Sequence, residues 1–450
     1  MKTPILPAML ALLALAAAAG PLRAGEPLRL SLADAIRRAL DEGTAARIAT
    51  SRVTEAEAQA QLARSVLQPQ AGAGTLTASD SINLATFGFT PPGVPPVVGP
   101  FYVVDAHVTL ALNVIDVAAR RRWAAARAGV QVSEEERRRT ENDVAAAVAA
   151  LYVALGRSSA RIDEIQANVE LFEKLRQLAA DQKQAGIGTK LDTTRAEVQL
   201  ARQQQSLLVA TNERDLARLA LLRAIGADLG AGVELTDDWT QAAPPAPALD
   251  EALAAARQGR PELALLAEQV RAAELDAAAA RAERLPTVGA QALGTESGNR
   301  VRDAAWSRTL GVAVNVPIFT GRRIEARVAA AQAKREQLLL QQRDAERQVE
   351  QEVRRALLVL GNARSRVELA EKSVQLADDE LTLASDRFKA GVASSIEVDN
   401  AQTSLAAARD ARIDAQADEA QARFDLARAT GRIRTLFAAE APHESETSQR

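Results

Sequence analysis

The chain has 450 residues, of which 25% are charged and 3% aromatic, and its formal net charge is -3. Alanine, leucine, arginine, glutamate and glutamine dominate, a bias that reads as long helices or coiled coil and not as a compact domain. With no cysteine, disulfides, thiol catalysis and thiolate metal sites are excluded; the two histidines, His107 and His443, fall in different elements, and the balanced charge gives nucleic acid no footing.

Residues 1–24 read as a secretory signal. Lys2 supplies a positive start, residues 8–19 form an apolar run, and Leu22-Arg23-Ala24 is an acceptable cleavage site. No later apolar run approaches the roughly 20 residues of a membrane-spanning helix. An exported chain of this kind enters a membrane only as strands.

Six helical segments follow, over about 32–67, 117–184, 192–226, 249–285, 321–389 and 396–431. Pro69 and Pro286 end helices because proline lacks a donor and clashes with the preceding turn. Gly186, Gly226, Gly391 and Gly431 stand where helices stop. These landmarks occur twice. Ser31-Leu32-Ala33-Asp34-Ala35 and Pro69 recur 217 residues later as Ala248-Leu249-Asp250-Glu251-Ala252 and Pro286. Ala185-Gly186-Ile187 recurs 205 residues later as Ala390-Gly391-Val392. The chain is therefore a tandem duplication: a first repeat over 25–230, a Pro-rich linker over 231–248, a second repeat over 249–431 and a tail over 432–450.

The second long helix carries a heptad seam: Val349, Val353, Ala356, Leu360, Ala363, Val367, Ala370, Val374, Ala377, Leu381, Ala384 and Phe388. The first long helix keeps the same phase from Val144 to Phe172 and then loses it at Arg176 and Lys183. A segment of nearly 70 residues spans roughly 100 Å, and a short one of about 36 roughly 54 Å.

The inserts between short and long helices alternate with period two. Tyr102, Val104, Ala106, Val108, Leu110, Leu112 and Val114 share one face, as do Trp306, Leu310, Val312, Val314 and Val316. Weaker partners over 72–84 and 287–295 complete two hairpins within 72–115 and 287–317, with loops over 88–100 and 296–303. Such strands suit a membrane barrel, with Tyr102 and Trp306 as interfacial aromatics at one level and Arg308 reaching for the same interface. They also suit a soluble cap on a coiled coil. Four strands close no barrel, so the membrane reading demands several copies.

The order of signal, short helix, hairpin, long helix, glycine tip and short helix, used twice, resembles the TolC-like outer-membrane efflux protein family over the mature chain. Asn315-Val316-Pro317-Ile318-Phe319-Thr320-Gly321-Arg322-Arg323 looks like its strand-to-helix junction. Gly186 with Asp192, Gly391 with Glu397, and Arg260-Pro261-Glu262-Leu263 add to the likeness. Two departures stand out: the first junction lacks a glycine matching Gly321, and Ala393 occupies a place where some relatives have an arginine.

The resemblance implies a mainly α-helical protein with a small β part. It would be a homotrimer sharing a twelve-stranded barrel in the outer membrane, with a periplasmic helical tunnel. It implies a passive exit duct, neither enzyme nor cofactor protein, working with a periplasmic adaptor and an inner-membrane pump. Gly186, Ile187, Gly391 and Val392 would form the docking tips. Asp192, Glu397 and Asp399 would ring the entrance and favour cations, or would simply occupy first helical turns that welcome acids. A periplasmic coiled-coil spacer or adaptor without a barrel is the competing reading.

Overall fold

The computed structural model describes residues 27–88, 92–186, 188–240, 246–390, 392 and 395–434. The signal expected over 1–24, Ile187, Gly391, and most of the expected tail lie outside the described residues. In chain order the elements are β1 (Leu28–Leu30), α1 (Leu32–Asp41), α2 (Thr44–Ser65), β2 (Gln70–Asn83), β3 (Val97–Ile115), α3 (Val117–Gln184) and α4 (Lys190–Ala224). Then come β4 (Val233–Leu235), α5 (Leu249–Gly259), α6 (Pro261–Ala282), β5 (Thr287–Gly298), β6 (Ala305–Asn315), α7 (Arg323–Lys389) and α8 (Ser395–Ala429).

The duplication is kept to the residue in places. Helices α2 and α6 both have 22 residues and start 217 apart. Helices α4 and α8 both have 35 and start 205 apart. The first hairpin absorbs most of the difference: β3 is 19 residues long against 11 for β6.

The sequence pattern suggests unbroken short helices over 32–67 and 249–285, but each is interrupted. The first breaks at Glu42–Gly43, where a Cβ on Gly43 would strike the Ala39 carbonyl. The second breaks at Arg260, whose ψ of 114° is extended because proline at 261 disfavours a helical predecessor. Strand β3 begins at Val97, inside the loop expected over 88–100, because Val97 and Val98 pair with Asn83 and Ile82.

The chain divides into two compact units, and neither coincides with a sequence repeat. One comprises Met1–Arg47, Thr140–Arg260 and Val349–Arg450. Its core joins Leu30, Ile36, Val148, Tyr152, Leu221, Leu222, Ile225 and Ile433. The heptad residues Val349, Val353, Ala356, Leu360, Ala363, Ala370, Ala377 and Ala384 are all buried, so the seam is a packing surface within the chain. Ion pairs set neighbours. Arg161 meets Asp410 at 3.1 Å and Arg409 meets Glu164 at 2.9 Å between α3 and α8, while Arg366 meets Asp418 at 2.6 Å between α7 and α8. Helix α8 thus lies between α3 and α7, and α4 flanks α3.

Two backbone-on-backbone contacts repeat the duplication in space. Gly226, at φ 72°, closes on Glu42, and Gly431, at φ 71°, closes on Gly259. A side chain at either position would meet a carbonyl of the interrupted helix, so glycine is needed twice over.

Strands β1 and β4 form a parallel pair, Leu28 opposite Val233 and Leu30 opposite Leu235, with no counterpart in the sequence reading. Tyr152 locks it. Its hydroxyl donates to the Leu30 carbonyl at 3.0 Å and accepts from the Asp237 amide at 3.3 Å. The Asp237 carboxylate accepts from the Leu32 amide at 2.7 Å. Burial pushes the Tyr152 phenol up to about 12.

The other unit comprises Ile48–Arg139 and Pro261–Gln348 and holds the four-stranded antiparallel sheet, in the order β2-β3-β5-β6. Strands β2 and β6 are its open edges among the described residues.

Replacing Tyr152 by phenylalanine removes both hydroxyl bonds and should cost about 1–2 kcal/mol in urea unfolding. The raised phenol also fixes a pH window. Its contribution is intact below pH 10.0 and is lost as pH climbs to about 12. Stability measured across that window should fall more steeply in wild type than in Tyr152→Phe.

Candidate functional site

Two regions hold the candidate residues, one in each unit. In the sheet, register assigns every side chain to a face. Val108 pairs with Ala73 and Gly294, and Leu110 with Ala71 and Ala292. Across β5, Ala290 meets Val312 and Ala292 meets Leu310. One face therefore gathers Tyr102, Val104, Ala106, Val108, Leu110, Leu310, Val312, Val314 and Trp306. These side chains are largely bare: Leu310 is 76% exposed, Val312 73% and Trp306 65%. In water such a contiguous apolar surface costs about 25 cal/mol per Å² relative to burial, so something apolar must cover it.

The opposite face is richer in small and polar residues, although Leu76, Val103 and Leu293 also lie on it. It holds Gly72, Gly74, Asp105, His107, Thr109, Gln291, Thr295, Ser297, Ser307 and Thr309. Asp105 Oδ1 lies 2.6 Å from His107 Nδ1, and the imidazole covers bare Gly74.

Tyr102 and Trp306 share the apolar face but not a row. Trp306 lies opposite Glu296, which lies opposite Ala106, four residues along β3 from Tyr102. In a barrel the strands tilt by about 35–45°, so an offset of this kind along the rows leaves the membrane level of the two aromatics open. The Trp306 indole covers Gly294, where any side chain would collide with it. Arg308 lies opposite Gly294 and is diagonal to Glu296, so the apolar face carries one charge of each sign near its loop end.

At the foot of the sheet the sequence reading missed a cluster centred on Glu283. This carboxylate meets Arg122 at 2.5 Å, Arg327 at 2.8 Å and Arg323 at 3.3 Å. Its side chain is 11% exposed. Burial raises the Glu283 carboxyl, but hydrogen bonds from Arg122 and Arg327 outweigh it and hold it below the usual value. One acid thereby joins the start of α3, the end of α6 and the start of α7. The only signal in the sequence is an unusual density of arginine after each strand.

In the other unit the hairpin tips turn as expected at Gly186, whose φ of 77° lies in the left-handed region. The Gly188 amide donates to the Gln182 carbonyl at 3.0 Å. At the second tip the Val392 amide donates to the Arg387 carbonyl at 3.0 Å, and Val392 is 68% exposed. The three tip acids are engaged differently. Asp192 closes a capping box, accepting from the Thr189 amide at 3.0 Å and hydroxyl at 2.6 Å. Those bonds hold its carboxyl below the ordinary value. Glu397 pairs with Arg387 at 3.3 Å. Asp399 is partly buried, which raises its carboxyl against the pull of Arg195. Among the described residues no group of three or more histidine, aspartate or glutamate side chains could hold a metal ion.

The family model for outer membrane efflux proteins matches residues 35–227 and 252–432. The chain belongs to the outer membrane efflux protein family. Both halves of the duplication carry the match, and the protein's place is the outer membrane. It is 27% identical over 257 residues to the outer membrane efflux protein BepC of Brucella suis, a match over 54% of that protein's length, so the chain spans about half of this relative. The fold is that of solved outer-membrane channels. The outer membrane protein VceC of Vibrio cholerae superposes with a TM-score of 0.73 at 20% identity, over 89% of this chain and 96% of that one. The CmeC channel of Campylobacter jejuni gives 0.76 at 16% identity, over 89% of this chain and 85% of that one. No helix among the described residues is long and apolar enough to cross a membrane.

The Glu283 cluster sets a test. Glu283→Ala leaves three half-exposed guanidiniums facing one another and should cost about 2 kcal/mol, less than for a fully buried pair because solvent screens the arginines. A lowered carboxyl stabilises fully above its ordinary value of 4.5 and progressively less as pH falls below it. Thermal melting should show a gap between variant and wild type at pH 7 that shrinks near pH 4.

Proposed function

We propose that this protein is the outer-membrane exit duct of a tripartite efflux or type I secretion system, a passive conduit without catalysis or cofactor. The bare apolar sheet face carries the reading, with a face richer in small and polar residues behind it: lipid on one side and an aqueous lumen on the other. Backbone groups on the open edges β2 and β6 need partners in lipid, where each unsatisfied group costs several kcal/mol. Copies of the chain supply them. Three copies close a barrel of twelve strands, an even number within the bacterial range.

The helical unit supports the same closure. Its outer members carry apolar side chains without cover in the single chain. Leu208 and Leu216 on α4 are 73% and 58% exposed; Leu358, Leu369 and Leu383 on α7 are 75%, 65% and 66% exposed. An α4 edge of one copy against an α7 edge of the next is a head-to-tail contact that forms a ring when the rotation closes.

In this reading the hairpin tips at Gly186, Ile187, Gly391 and Val392 meet a periplasmic adaptor, and an inner-membrane pump drives transport. Tyr102 and Trp306 anchor the strands at the membrane interface. Asp192, Glu397 and Asp399, repeated around a threefold axis, favour cations at the entrance.

Two experiments follow. Because the chain has no cysteine, pairs introduced on β2 and β6, such as Thr75→Cys with Leu310→Cys and its neighbours in register, report only designed contacts. Oxidation in outer membranes should yield a ladder that stops at three copies; a soluble periplasmic monomer would sink the duct. Single-channel recordings of Asp192→Asn with Glu397→Gln, which keep hydrogen-bond acceptors, should show reduced cation preference. Unchanged selectivity removes these acids from the entrance.

A further inference from the structure

The foot of the sheet carries more arginine than its acids can balance. Strands β2 and β5 begin here and β3 and β6 end here, with Gln70 opposite Ala111 and Thr287 opposite Asn315. Each local acid is already engaged. Asp116 accepts from the Ala119 amide at 2.8 Å, Glu283 takes Arg122, Arg323 and Arg327, and Glu325 meets Arg284 at 3.3 Å. Arg64, Arg120, Arg121, Arg127 and Arg322 are left, all exposed, and no ion pair is seen for them among the described residues.

Two of these share a ring. The guanidiniums of Arg64 and Arg127 each lie 5.6 Å from the centroid of the Trp123 indole. Stacking on an aromatic face uses none of the five guanidinium N–H donors, so the donor edges stay free for an acceptor. Two cations held against one indole repel each other, and a nearby anion that either edge can reach relieves that repulsion. Helix stability accounts for Arg64, in the last turn of α2 where the dipole favours a cation, but not for the arginines of α3. Helix α3 has no acid in its first turn, and Arg120 stands there against the dipole.

The cluster adjoins the surface read above as lipid-facing. Ile318 and Phe319, 94% and 88% exposed, come between β6 and Arg322. Val114 and Ile115, 44% and 47% exposed, end β3 just before Arg120. Apolar side chains thus give way to arginines at the same end of the sheet in both repeats, as acyl chains give way to headgroups.

We propose that Arg64, Trp123 and Arg127, with Arg120, Arg121 and Arg322 beside them, form a binding site for the phosphate headgroup of an anionic phospholipid. Guanidinium forks match phosphate oxygens two at a time, and anionic lipid is preferred because the unbalanced arginines outnumber the single charge of one phosphate. This rests on the membrane reading of the sheet.

The test uses the full chain purified in mild detergent, titrated with phosphatidylglycerol or phosphatidylethanolamine and read by native mass spectrometry. Wild type should retain phosphatidylglycerol over phosphatidylethanolamine. The Arg64→Ala, Arg127→Ala double variant should retain about tenfold less phosphatidylglycerol, the scale expected for two arginines at a charged surface. Arg120→Gln with Arg121→Gln, exposed positions that carry no packing, should lower retention as well. Arg343→Ala, an exposed arginine on α7 away from the strand ends, should change nothing. Equal retention by wild type and both double variants, or an equal loss in Arg343→Ala, overturns the site. A wild-type chain that stays soluble without detergent overturns the membrane reading instead, and the site with it.

Discussion

Unpaired backbone at the edge of a four-stranded sheet is the constraint from which the rest follows. Strands β2 and β6 each present a row of amides and carbonyls that no described residue answers. In water such an edge invites aggregation, and in lipid it is untenable. The sheet also bares its apolar face, with Leu310, Val312 and Val314 more than half exposed. The closed assembly proposed above would cover both features. The helical unit has the same incompleteness, since α4 and α7 each expose leucines on their outer faces. The single chain thus carries two kinds of uncovered surface, hydrogen-bonding edges in one unit and apolar stripes in the other.

What holds the single chain in shape is close backbone contact and a few buried polar groups. Gly226 and Gly431 let helix ends approach the broken short helices to carbonyl distance, and they do so at equivalent places in the two repeats. The pseudo-symmetry is thus physical and not only textual. It is also broken. Tyr152 secures β1 against β4 through a hydroxyl that bridges Leu30 and Asp237, and its seam equivalent in the second repeat is a plain apolar position, Leu357. Glu283 likewise belongs to the second repeat yet ties Arg122 of the first to Arg323 and Arg327 of its own. Single residues convert two similar halves into one structure.

Much of this was legible in the sequence. Most heptad positions from Val349 to Ala384 are buried where the period places them, with Val367, Val374 and Leu381 half-buried, and α3 runs over the very residues 117–184 that the pattern marks. Alternation assigns the apolar face from Tyr102 to Leu112 and from Trp306 to Val314, and fails at Val114, where a bulge puts Ile115 opposite Val288. The tip acids were visible as residues but not as partners. Asp192 is a capping-box residue, Glu397 an ion-pair partner and Asp399 a partly buried carboxyl, so three acids that look alike in the sequence have three environments. Alternation fixes the face that Tyr102 and Trp306 share, whereas only pairing through β5 fixes their rows.

By itself the sequence determined what is local and periodic: helices, strands and their faces, glycine turns, and the duplication. These depend on backbone preferences and on side-chain spacing within one segment, and both are present in the order of residues. The break at Arg260 follows from Pro261 and is a local signal, while tertiary structure alone decided the approach at Gly43, the β1–β4 pair, the Tyr152 bridge, the Glu283 cluster and the two arginines on Trp123. Each of the last four joins residues dozens to hundreds of positions apart, and no period or propensity connects them. Only the packed chain brings their atoms within reach, so contact geometry and not pattern selects them.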